Sequence, residues 1–77
     1  RNIDALMLND RGTAFDPSQG ETYQLSESAL FLIRRILAGA KEETLVDDLR
    51  AEYEVDEATA RRDIGEFLET LRRLRWI

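Results

Sequence analysis

The stretch Tyr23-Gln24-Leu25-Ser26-Glu27-Ser28-Ala29-Leu30-Phe31-Leu32-Ile33 decides the fold. Its first three residues close an alternating, extended pattern. Its last five form an apolar run, and Ser26 stands between the two. A serine there is a natural N-cap, because its hydroxyl can accept an orphan N–H of the first helical turn. Glu27 adds a carboxylate at the positive end of the helix. Beyond the cap, Ala29, Leu32, Ile33, Ile36 and Leu37 recur at helical spacing and predict one buried stripe. Leu30 and Phe31 fall beside or opposite it at about 100° per residue. Arg34 and Arg35 suit the last turns, and Gly39 is a natural C-cap residue, so the helix is predicted over 27–38.

Upstream of Ser26 the chain reads as strands. Residues 3–8, Ile-Asp-Ala-Leu-Met-Leu, are short and apolar, and Asn9-Asp10-Arg11-Gly12 follows as a turn signal. A second strand is predicted over 12–16. Asp16-Pro17-Ser18-Gln19-Gly20 is a loop in which proline sets φ early and glycine can take a positive φ at the exit. Residues 21–25 then alternate, with Glu21, Tyr23 and Leu25 on one side and Thr22 and Gln24 on the other. Three short strands with turn-length links suggest an antiparallel meander.

Downstream the chain reads as helices. Leu45, Val46 and Leu49 make the stripe of a helix predicted over 42–52, with Tyr53 at its edge. Asp47 and Asp48 diverge at neighbouring helical positions, so they are a poor metal pair. Asp56 caps a third helix, predicted over 57–73, with Glu57 in its first turn. Its stripe is Ala60, Ile64, Phe67, Leu68, Leu71 and Leu74. Gly65 lies mid-helix, which suggests close packing against another helix. Trp76 and Ile77 read as a docked tail. The fold class is therefore α+β: a three-stranded antiparallel sheet followed by three helices, winged helix-turn-helix-like, in one domain over 1–77.

Composition narrows the function. The 77 residues contain neither cysteine nor histidine. There is thus no disulfide framework, no thiolate metal site and no imidazole base. Ser18, Ser26 and Ser28 have no histidine to activate them, and no glycine-rich phosphate loop appears. Net charge is −5, against the positive excess usual in nucleic-acid binders. The longest apolar run, residues 29–33, is far too short to span a bilayer, and no secretory signal pattern is visible. These features point to a cytoplasmic, non-catalytic domain with no cofactor, metal, nucleic-acid or membrane partner, either monomeric or a weak homodimer.

Taken in order, several segments resemble the PqqD family, small domains of natural-product biosynthesis also called RiPP recognition elements. Tyr23-Gln24-Leu25-Ser26-Glu27-Ser28-Ala29 is similar to the family's entry into its first helix, and Gly39 to the glycine that follows it. Leu45, Leu49 and Tyr53-Glu54-Val55-Asp56 resemble the second helix and the turn after it. Ala60-Arg61-Arg62-Asp63-Ile64, Phe67-Leu68 and Leu71 resemble the third. Lys41 and Glu42 depart from the usual threonine cap and apolar residue, so the second helix is expected to fray at its start. Arg75-Trp76-Ile77 replaces the usual glycine-containing ending. The resemblance implies binding of the leader segment of a ribosomally made precursor peptide and its delivery to a modifying enzyme, often a radical S-adenosylmethionine enzyme. It implies that the leader adds as a strand beside the third strand, against the third helix.

The residues can serve that role. An edge strand offers unpaired N–H and C=O groups, and an extended peptide can satisfy them. Glu21, Thr22, Tyr23, Gln24 and Leu25 contain no proline, so their donors are intact. Asp63, Phe67, Thr70 and Leu74 lie on one flank of the third helix's stripe. Leu68, Arg61, Arg72 and Arg75 lie on the other, and either flank can face the strand. Ile64, Phe67 and Leu71 are central in both cases. With Asp63 they complete the expected peptide-binding set, and nearby arginines either pair with acidic leader residues or form an ordinary solvated face. Two alternatives remain open at this level. Arg61, Arg62, Arg72, Arg73 and Arg75 suggest a DNA-binding winged helix, diluted by Asp63, Glu66 and Glu69. Leu30, Phe31 and Trp76 suggest a dimerising structural module.

Overall fold

The computed structural model describes all residues, 1–77. Three short strands, β1 (Met7–Leu8), β2 (Thr13–Asp16) and β3 (Glu21–Gln24), form an antiparallel sheet in the order β1-β2-β3. Three helices follow, α1 (Glu27–Leu37), α2 (Glu42–Glu52) and α3 (Glu57–Arg73). The α+β meander-plus-helices arrangement is the one read from the sequence.

The first strand is much shorter than its apolar run suggests. Asn2–Ala5 forms a 3-10 turn instead. Ile3 donates its N–H to the Trp76 carbonyl at 2.8 Å, and Asn2 Nδ2 donates to the Arg75 carbonyl at 2.8 Å. Ile3 is fully buried there. The start of the chain is thus folded against its end, and that long-range pairing outcompetes continued extension.

The turn between β1 and β2 is set by Asn9, whose Oδ1 accepts the N–H groups of Arg11 and Thr13, each at 3.0 Å. Gly12 then takes φ +85, and a Cβ there would lie 2.7 Å from the Leu25 carbonyl oxygen. Its own carbonyl accepts the Leu25 N–H at 2.7 Å. Only glycine lets the two backbones approach this closely. The contact holds the end of β3 where α1 begins.

Both predicted caps form. Ser26 Oγ accepts the Ala29 N–H at 3.2 Å, and Asp56 Oδ1 accepts the Thr59 N–H at 2.7 Å. That bond holds the Asp56 carboxyl below the usual carboxylate range. Lys41 caps α2 without a side-chain bond. Gly39, at φ +99, ends α1 with its N–H on the Ile36 carbonyl and the Ala40 N–H on the Arg35 carbonyl.

The core joins Ile3 and Ala14 to Leu32, Ile33, Ile36, Leu45, Val46, Leu49, Ala60, Ile64, Leu68, Leu71 and Trp76. Two expectations are corrected by it. Leu37 leaves the α1 stripe and is 39% exposed, because it lies in the last turn before the chain leaves the helix. Gly65 packs against nothing: the space a Cβ would fill is open.

The end of α3 repeats the geometry seen after α1, with Arg75 in place of glycine. Arg75 takes φ 63, its N–H on the Arg72 carbonyl at 3.0 Å, and the Trp76 N–H reaches the Leu71 carbonyl at 2.9 Å. This reversal swings Trp76 under the sheet, where it is buried. Its Nε1 donates to Asp16 Oδ2 at 2.9 Å, and its ring meets Tyr23 edge to face at 5.2 Å. Gln19 Nε2 donates to the Leu74 carbonyl at 3.0 Å. The end of α3 is therefore pinned to the β2–β3 hairpin.

Candidate functional site

The outer border of β3 is open, since β2 is its only partner in the sheet. The register pairs Thr13 with Gln24, Ala14 with Tyr23, Phe15 with Thr22 and Asp16 with Glu21. Leu25 donates to Gly12, and ladder bonds alternate along an antiparallel pair. Residues 21, 23 and 25 thus turn their amides toward β2. Thr22 and Gln24 turn theirs to the open border. The Gln24 side chain stays clear of that border: Nε2 donates to the Arg11 carbonyl at 2.8 Å, and Oε1 accepts the Thr13 hydroxyl at 3.3 Å.

Beyond the end of β3 lies an open groove of about 460 Å³ between the start of α1 and α3. Its apolar lining includes Ala29, Leu32, Val55 and Phe67. Ser26, Ser28 and Thr70 add hydroxyls, and Asp63 and Glu66 add carboxylates. Tyr53 also lines it, its ring edge to face with Phe31 at 5.8 Å. Burial, then the charges of Glu27 and Glu52, push the Tyr53 hydroxyl above its ordinary pKa.

The pinning of α3 to the hairpin rests on Asp16. Asp16 is 1% exposed, yet its carboxylate is fully engaged. Besides Trp76, it accepts the Ser18 hydroxyl at 2.7 Å and the Ser18 N–H at 2.9 Å. The Ser18 hydroxyl, then Trp76, hold its carboxyl below the usual range despite burial. No polar side-chain atom in the interior is left without a partner.

Of the residues singled out from the sequence, Glu21, Thr22, Tyr23 and Gln24 form β3, and Leu25 follows it half-buried. Asp63 and Phe67 line the groove. Ile64 and Leu71 do not: at 4% and 1% exposed they support the wall from beneath. The flank of α3 in the groove is the one carrying Asp63, Phe67 and Thr70. Glu66, one helical turn from Asp63, joins them and was legible from that spacing alone. The α1 and α2 contributions had no local signal, because they depend on how the helices cross.

The arginines lie elsewhere. None lines the groove. Arg61 pairs with Glu57 at 3.1 Å and Arg72 with Glu42 at 3.3 Å. These arginines are exposed, as a solvated face would have them, and the groove's rim carries carboxylates instead. No group of residues is disposed to hold a metal ion, and no helix is long and apolar enough to cross a membrane.

An open sheet border beside a helix-walled groove defines the fold of a small α+β binding domain. Residues 6–77 match the family described as coenzyme PQQ synthesis protein D (PqqD), and the chain belongs to that family. A solved structure described as lasso peptide synthetase B1 complexed with the leader peptide is similar, at 30% identity and a TM-score of 0.75. The likeness covers 88% of this chain and 81% of that one. No curated protein matches.

Proposed function

We propose that this domain binds the leader segment of a ribosomally made precursor peptide and delivers it to a modifying enzyme. The leader adds as a strand to the open border of β3, its backbone bonding to Thr22 and Gln24. Side chains opposite Tyr23 and Leu25 turn to the helix side, toward Phe67 and Asp63. The observation that carries this reading is the vacant border of β3, with an open groove along α3 beyond its end. Family membership supports it, as does the likeness to a synthetase structure complexed with its leader peptide.

The role is non-catalytic. The chain has no histidine or cysteine, and its most strongly engaged carboxylate, Asp16, is committed to Trp76 and Ser18. Chemistry on the precursor then belongs to the partner enzyme, and the domain's contribution is to raise the local concentration of substrate.

Titration with leader peptides from precursors encoded beside this gene tests the reading. Amide signals of residues 21–25 and of α3 from Asp63 to Thr70 are expected to shift, while those of α2's exposed face stay still. Shifts confined to α1 and α2, or none with any such leader, would overturn it.

A further inference from the structure

Resting on the strand-addition reading, we propose that the groove selects a lysine or arginine at one inward-facing position of the guest strand. The aliphatic stem of that residue lies on Phe67 and Leu32, and its cationic head reaches Asp63 and Glu66.

The lining has the two parts such a side chain needs. Phe67, Leu32, Ala29 and Val55 give an apolar floor, on which a long basic side chain can lay its methylenes. Asp63 and Glu66 stand three residues apart on α3, hence on one face of the helix. Glu66 takes part in no ion pair. Asp63 has only Arg62, at 3.6 Å, with Arg62 66% and Asp63 49% exposed. Neither carboxylate is committed to holding the fold.

Opposing charges are few. No lysine or arginine lines the groove. Arg73 approaches its rim but is engaged with the Thr70 hydroxyl at 3.3 Å. The positive end of α1 opens there too, offset by Glu27 in its first turn. A guest carboxylate at this position would face two like charges over an apolar floor, which disfavours it. Strand addition supplies affinity for any extended backbone, so this rim is where side-chain choice enters.

Selection from a displayed library of random peptides against the whole chain tests the proposal. Four forms are used: wild type, D63N/E66Q, E43Q/D47N on the exposed face of α2, and Thr22→Pro to block the border. Both double substitutions raise the net charge from −5 by two, so a general attraction of basic peptides to an acidic protein changes equally in each. Wild type and E43Q/D47N are expected to enrich lysine or arginine two residues from an apolar residue, and D63N/E66Q to lose that basic preference. An enriched peptide made synthetically should bind D63N/E66Q about fivefold more weakly than wild type, as expected for two exposed charge contacts. Its norleucine analogue should bind both equally. Enrichment without a basic preference, or the same preference in D63N/E66Q, would overturn the inference while strand addition stands. Failure to enrich any peptide, or enrichment untouched by Thr22→Pro, would overturn the strand-addition reading and this inference together.

Discussion

Thr22→Pro separates backbone recognition from side-chain recognition. The register turns the Thr22 N–H away from β2, so proline there removes no bond of the sheet. Proline is tolerated on an edge strand in that orientation, and the restriction it places on Glu21 is to the extended region Glu21 already occupies. The fold should therefore persist. Binding should not. The lost hydrogen bond is worth about 0.5–1.5 kcal/mol net, and the guest carbonyl left unpaired adds about 1–3 kcal/mol if water is shut out. A middle value of about 2–3 kcal/mol corresponds to roughly 30- to 140-fold in Kd. Thr22→Val keeps the N–H and removes the hydroxyl, and should stay within about twofold, because Thr22 is exposed and its side chain has no partner. Calorimetric titration with a leader peptide, beside a thermal melt of each variant, gives the comparison. A folded Thr22→Pro variant with wild-type affinity would refute the edge assignment. So would a Thr22→Val variant as weak as Thr22→Pro.

Gly65 sits mid-helix facing open space, so Gly65→Ala should stabilise by about 1 kcal/mol in chemical denaturation, and a loss of stability would contradict the open placement. Arg75 holds a left-handed conformation that costs an L-residue about 1–2 kcal/mol, against about 0.4–1 kcal/mol for glycine's looser unfolded chain. Arg75→Gly should thus raise the melting midpoint modestly, and a drop would show that the arginine makes up the strain elsewhere. Asp16 and Asp56 both have folded pKa values lowered from 3.8. Their contribution is fully present above that value and is lost as pH falls through the lower folded values. Melts followed by circular dichroism should be flat near neutrality and decline only below about pH 4. Asp16→Asn should shrink that decline, and stability rising on acidification would contradict the assignment.

Most of the fold was legible in local chemistry. Ser26 and Asp56 marked helix starts because a short polar side chain before an apolar repeat has few other uses. Gly39 marked a helix end for the complementary reason. Residues 3–8 were misread because their outcome depends on Trp76, at the other end of the chain, and no local pattern carries that pairing. Gly65 was assigned to a close approach, but sequence does not distinguish a glycine that packs from one that faces solvent.

The candidate site was legible in part. Alternation over 21–25 identified the strand, and helical spacing grouped Asp63, Phe67 and Thr70 on one flank. The choice of flank rests on how α3 packs in the fold, a long-range matter in which Trp76, seated against Asp16 and Tyr23, ties the end of the helix to the hairpin. Ile64 and Leu71 lie at the middle of an apolar stripe, which is where burial is deepest and access to a ligand least.

The two borders of the sheet are unequal. β3 presents four residues, whereas β1 presents only Met7 and Leu8. Backbone pairing over two residues is too brief to hold a second guest, so complexes should form with one-to-one stoichiometry.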